Sequence, residues 1–129
     1  TLNPTTGVIS GTPTAAGTFT PTIKATTSAG CFATKTYVLI ISCAAVTVNP
    51  ASLPSGNVNV AYNQTVSATP AAAYTFSLQT GSLPPGISLN SATGALSGTT
   101  TVAGTYNFTV KAATGSCSGT RAYTLVINP

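Results

Sequence analysis

The stretch Thr1-Leu-Asn-Pro-Thr-Thr-Gly-Val-Ile-Ser-Gly11 returns as Ser88-Leu-Asn-Ser-Ala-Thr-Gly-Ala-Leu-Ser-Gly98. Carried onward, residues 1–25 align with 88–112 at 14 identical positions, and Cys31–Ile41 aligns with Cys117–Ile127 at five of eleven. Internal repetition fixes the folding unit. An offset of 87 positions in a chain of 129 residues leaves room for one complete copy preceded by the second half of another. The chain therefore divides into 1–43, the C-terminal half of a repeat, and 44–129, a complete repeat.

Around the repeated block the dominant pattern is alternation. In Thr105-Tyr-Asn-Phe-Thr-Val-Lys-Ala112 the residues Tyr106, Phe108, Val110 and Ala112 share one face and Thr105, Asn107, Thr109 and Lys111 the other, the period of a half-buried strand. The same period runs through Ala122–Ile127, Tyr74–Leu78, Gln64–Ala68 and Ala45–Val48. No window carries the 3.6-residue period of an amphipathic helix. Turn chemistry separates the strands at Asn49-Pro50, Leu53-Pro-Ser-Gly56, Ser82-Leu-Pro-Pro-Gly86, Ala92-Thr-Gly94 and Thr114-Gly-Ser116. The complete copy thus reads as seven strands, A near 44–49, B near 62–69, C near 73–79, D near 86–90, E near 95–98, F near 104–113 and G near 119–128. That pattern predicts an all-β antiparallel sandwich. The half copy supplies only D to G, so its strand F lacks a neighbour. Pro21, standing where the second copy has Phe108, falls inside that F strand; a proline there removes a ladder donor and predicts either a bulge or a less constrained position.

Composition removes most chemistry. The chain has 43% hydrophobic and 3% charged residues, with no Asp, Glu, His, Trp or Met. General acid–base catalysis and calcium or zinc coordination draw on side chains that are absent, so no enzyme activity, no metal and no cofactor is expected. A catalytic cysteine would have no base beside it. The four cations, Lys24, Lys35, Lys111 and Arg121, are too few for a nucleic-acid surface. No apolar run is long enough for a membrane span, and no signal-peptide pattern is visible.

Leu83-Pro-Pro-Gly-Ile-Ser-Leu-Asn-Ser-Ala-Thr-Gly-Ala-Leu-Ser-Gly98, followed by Ala103-Gly-Thr-Tyr-Asn-Phe-Thr-Val110, resembles the immunoglobulin-like repeat of bacterial extracellular surface proteins, a relative of cadherin-like dystroglycan modules. The resemblance covers the whole chain and implies tandem immunoglobulin-like antiparallel β-sandwiches, one complete and one partial, located outside the cell on a bacterial surface or secreted. Members commonly carry an acidic residue after strand F, and cadherin-like relatives use such acids for calcium. Lys24-Ala-Thr-Thr-Ser-Ala-Gly30 and Lys111-Ala-Ala-Thr-Gly-Ser116 have none, which argues against calcium here.

In an immunoglobulin-type sandwich strand A starts at the same end as the F–G loop. On that basis Cys43, just before strand A, is expected to bond Cys117 at the start of strand G. Cys31–Cys43 is the weaker alternative, because an extended strand of eleven residues separates them, and three reduced thiols form the remaining one. Cys31, the counterpart of Cys117, then needs a partner outside this chain.

Lys24 with Lys35, and Lys111 with Arg121, are expected to neighbour each other on an outer sheet face. Tyr62, Tyr74 and Phe32 are the candidate exposed aromatics, so Tyr62, Tyr74, Lys111 and Arg121 are the possible glycan contacts. Asn63-Gln-Thr65 and Asn107-Phe-Thr109 fit the N-glycosylation pattern. The function expected is that of a structural or adhesive module in a stalk or filament, its partners other copies of the same repeat in the same chain or in neighbouring subunits. The alternative is a carbohydrate-binding module contacting cell-surface glycans.

Overall fold

The computed structural model describes residues 1–129 and contains strands but no helix. The chain separates into two compact units, Thr1–Cys43 and Ala44–Pro129.

The larger unit has nine strands: β5 (Thr47–Asn49), β6 (Gly56–Asn57), β7 (Ala61–Thr65), β8 (Ser67–Thr69), β9 (Thr75–Gly81), β10 (Ile87–Leu89), β11 (Ala95–Thr99), β12 (Gly104–Thr114) and β13 (Cys117–Asn128). One layer is the four-stranded sheet β6-β13-β12-β9; the other comprises β10-β11-β7 and the pair β5-β8. Between the layers lie Val48, Leu53, Tyr62, Val66, Phe76, Ile87, Leu96, Phe108, Val110, Ala112, Tyr123, Leu125 and Ile127, all buried. Alternation explains this set, since Phe108, Val110 and Ala112 point inward from one strand and Tyr123, Leu125 and Ile127 from its neighbour.

Strands C to G stand within a few residues of their expected places, whereas A and B differ. The strand expected over 62–69 changes partner at Val66: β7 pairs with β11, β8 pairs with β5, and the Val66 amide donates instead to the Gly94 carbonyl at 2.9 Å. The strand expected near 44–49 is shorter, Thr47–Asn49, and a further strand that was not expected follows it. β5 pairs antiparallel with β8, and after the Leu53-Pro-Ser corner β6 crosses to the opposite sheet, where Gly56 lies parallel to Ile127.

The smaller unit repeats part of this pattern. β1 (Gly17–Phe19) pairs with β4 (Leu39–Ile41) and β2 (Thr22–Thr26) with β3 (Phe32–Thr36). Its counterpart in the larger unit is one unbroken hairpin, in which Phe108 pairs with Tyr123. Here Pro21 has no N–H to give, and only the Tyr37 amide donates to the Pro21 carbonyl, at 2.9 Å, so the ladder divides in two.

The repeated block folds alike in both units. Asn3 Oδ1 accepts from the amides of Thr5 and Thr6, as Asn90 Oδ1 does from Ala92 and Thr93. Gly7 donates to the Asn3 carbonyl at 2.9 Å and Gly94 to that of Asn90 at 2.8 Å. The Asn side chain satisfies the turn amides, and glycine supplies φ values of 74° and 76°. Leu2 bridges Ile9 where Leu89 pairs with Leu96.

The two glycines differ in surroundings. A Cβ on Gly94 would collide with the Val66 carbonyl oxygen, whereas one on Gly7 would meet nothing within 4 Å. Gly7→Ala is therefore expected to cost about 1–2 kcal/mol of local stability, the backbone term alone, and Gly94→Ala clearly more, about 3 kcal/mol or above as the collision adds to it. Amide exchange of the two hairpins in each variant checks this, and equal losses would contradict it.

Candidate functional site

The aromatic and cationic candidates lie on strands, except Tyr74 just before β9, and most are spent on the fold. Tyr62, expected at the surface, is instead a core residue only 7% exposed, because its position in β7 points inward beside Val66 and Leu96. Its hydroxyl donates to the Pro54 carbonyl at 2.9 Å. A ring so covered offers no face to a sugar. Tyr74 is half-buried: its ring is tilted 48° against Phe76 at 6.4 Å between centroids, and its hydroxyl donates to the Pro70 carbonyl. Phe32 lies in the smaller unit, exposed, with the Lys24 ammonium 4.2 Å from its ring centroid.

Lys111 and Arg121 do not neighbour one another on an outer face. Directly paired residues in a ladder share a face, and Arg121 pairs with the fully buried Val110 while Lys111 pairs with Thr120. Arg121 thus lies on the inner side, where its Nε donates to the Val48 carbonyl at 2.5 Å and holds β5 against β13. Lys111 alone remains outward. The same register operates in the smaller unit, where Lys35 pairs with Ile23 and Lys24 with Thr34. The sequence could have shown this: counting inward positions back from Tyr123 places Arg121 on the core side.

A further polar group secures the chain just after β5. The Tyr123 hydroxyl donates to the Pro50 carbonyl at 2.6 Å, and its ring lies 6.0 Å from that of Phe108. Neither this hydrogen bond nor that of Arg121 was expected from the sequence, since both reach across 73 residues. Burial pushes the Tyr62 and Tyr123 phenols above their ordinary value of 10.0, with Arg121 drawing Tyr123 partly back.

Both sequon asparagines are exposed. Asn63 lies in β7 opposite Ser97, and Asn107 in β12 accepts from the Thr124 hydroxyl at 2.7 Å. Cys43 and Cys117 are disulfide-bonded, and Cys31 is an exposed free thiol. No helix of the structure is long and apolar enough to cross a membrane.

Two layers with the order β6-β13-β12-β9 facing β10-β11-β7 and β5-β8 define an immunoglobulin-like domain. The family described as "Putative Ig domain" matches residues 1–42 and again 44–128, and the chain belongs to this family. No curated protein matches it in sequence. Among solved structures it is similar to a Bacteroides fragilis protein described as a "putative alpha-galactosidase", at 22% identity over 64% of this chain and 17% of that one, with a TM-score of 0.58. An endo-fucoidan hydrolase of glycoside hydrolase family 107 matches at 20% identity over 88% of this chain and 19% of that one, TM-score 0.50. Extracellular cadherin domains 1–5 of protocadherin gamma B2 match at 17% identity over 87% of this chain and 26% of that one, TM-score 0.51. At these identities the likeness is one of fold. The chain spans under a fifth of the length of the two glycosidases.

The ionisable groups predict an unusual pH response. With no side-chain carboxylate or imidazole, no side chain changes charge near neutrality or in mild acid, and the melting temperature is expected to stay level from about pH 4 to 8. The raised phenols work in the other direction. Their contribution is complete below the ordinary phenol value of 10.0 and is lost as pH rises through the higher folded value. Melting curves should therefore fall only in alkali and fall less steeply in Tyr123→Phe; an acid transition between about pH 3 and 5 would contradict the argument.

Proposed function

We propose that this chain is a non-catalytic structural repeat of an extracellular protein, serving as spacer or adhesive module. The observation that carries the reading is that its polar side chains serve its own backbone. Arg121, Tyr123, Tyr62, Asn90 and Asn3 each bond a main-chain group, and no buried side-chain nitrogen or oxygen is without a partner. Such an arrangement leaves no converging set of groups for chemistry. The recurrence of one hairpin in both units supports a tandem array, whose function lies in repetition.

An extracellular, wall-associated or surface location agrees with the disulfide, since such bonds persist in oxidising compartments. We expect Cys43 and Cys117 to bond each other. Closing a loop of about seventy residues, that bond would contribute on the order of 4 kcal/mol. Peptide mapping without reductant is expected to recover the two cysteines linked, and reduction to lower the midpoint of denaturant unfolding. Antibody against the chain should label intact cells of the source as strongly as permeabilised ones; labelling only after permeabilisation would sink the extracellular reading. Turnover of any glycoside, ester or peptide that follows the pure protein would sink the non-catalytic one.

A carbohydrate-binding role is the second reading, favoured by the likeness to domains of an alpha-galactosidase and a fucoidan hydrolase. With Tyr62 buried, Tyr74 and the outward Lys111 are the contacts left to it in the larger unit. A polysaccharide signal abolished by Tyr74→Ala would favour this role, and silence across a broad glycan panel would remove it.

A further inference from the structure

In the larger unit Leu96, Val110, Tyr123, Leu125 and Ile127 are at most 3% exposed. Their repeat counterparts in the smaller unit are Ile9, Ile23, Tyr37, Leu39 and Ile41. Ile9 is 61% exposed, Tyr37 48% and Leu39 45%, with Ile23 and Ile41 only half-buried. The same positions thus carry apolar side chains in both units, covered in the larger and more exposed in the smaller. In the larger unit the cover comes from Val48, Leu53, Tyr62, Val66 and Phe76, all within residues 44–81.

We propose that the apolar face of Thr1–Cys43 seats a polypeptide segment of the same repeat kind, with the pattern of residues 44–81, supplied by polypeptide other than these 129 residues. The inference rests on the repeat geometry and not on the structural role proposed above. One glycine keeps room for the segment. The space beside Gly94 is filled by the Val66 carbonyl, whereas its counterpart Gly7 has nothing within 4 Å. A groove lined by Ile9, Pro13, Phe19, Leu39 and Ile41 lies alongside. At the corresponding place in the larger unit, Gly56 and the Tyr62 ring lie against Ile127, a Cβ on Gly56 falling 2.9 Å from the Ile127 side chain and 3.0 Å from Tyr62. The incoming segment therefore needs a small residue alongside Ile41 and an aromatic ring to enter the groove.

A second copy of the chain does not meet this need. Each chain has two halves to be covered and one covering segment, and that segment is engaged in its own larger unit. Exchange between copies would uncover one half for every half it covered.

One position marks a difference between the covers. A Cβ on Gly119 would collide with the Val46 carbonyl oxygen, and the counterpart of Gly119 in the smaller unit is Ala33. The natural segment must pass Ala33 farther out than Val46 passes Gly119.

The probe is a synthetic peptide of residues 44–81 added to the full chain, with amide exchange read residue by residue. Amides among Val8–Thr12 and Thr22–Thr26, whose counterparts pair with Ala61–Thr65 and Thr75–Gly81, should slow at least tenfold. That protection should vanish in Ile9→Lys, and Ala33→Gly should tighten peptide binding several-fold. Unchanged exchange in the smaller unit, equal protection of Ile9→Lys, or dimerisation of the chain alone with protection of these same amides would overturn the proposal. Should the peptide be insoluble, a chain with residues 44–87 repeated ahead of Thr1 gives the second measurement. It is expected to protect the same amides, and exchange as fast as in the parent would overturn the proposal equally.

Discussion

The constraint on which everything else depends is that a sheet apolar on one face needs a second layer over it. In Ala44–Pro129 that need is met by the interleaving of Leu96 and Val66 from one layer with Val110 and Leu125 from the other, none of them measurably exposed. Each such side chain contributes about 1.5–3 kcal/mol when fully buried. Charge contributes almost nothing, because the chain has no anion side chain to pair with its four cations. Stability rests on apolar contact and on hydrogen bonds to the backbone.

Those hydrogen bonds converge on one weak place. β5 is three residues long and forms a ladder only with β8, itself three residues long. Arg121 and Tyr123 on β13 reach across to the Val48 and Pro50 carbonyls, tying the start of the unit to its last strand. A chain with so few polar side chains on its inner faces uses them where backbone pairing is shortest.

Much of this was legible in the sequence, and what escaped it has common causes. Strands β9 to β13 announce themselves by alternation and by the Asn-x-x-Thr-Gly and Pro-Pro-Gly turns, which act locally. β6 escaped because two residues show no period, and its pairing with Ile127 depends on a partner 71 positions away. The change of partner at Val66 escaped because alternation continues through it while the hydrogen bonding does not. At Tyr62 and Arg121 residue type and strand phase point opposite ways. A tyrosine and an arginine suggest a surface, yet phase within the strand assigned both to the inner side, with the phenol and guanidinium satisfied by carbonyls. Pro21 predicts either a bulge or a less constrained position; the interrupted ladder follows from its missing N–H, a property visible in the residue itself.

The parallel alignment of β6 with the end of β13 bears on what happens when this unit is loaded from its ends. One strand lies near its beginning and the other at its end, and they run the same way, so opposite pulls slide them lengthwise past each other. The main-chain bonds between them, joined by the Val58 amide and the Asn128 side chain, lie across the pull and must yield together. A hairpin such as β12–β13, peeled from its open end, would give way one bond at a time. Two residues of parallel pairing at Gly56 and Asn57 thus act as a shear clamp, and the absence of a side chain at Gly56 lets it grip closely, since a Cβ there would fall 2.9 Å from the Ile127 side chain.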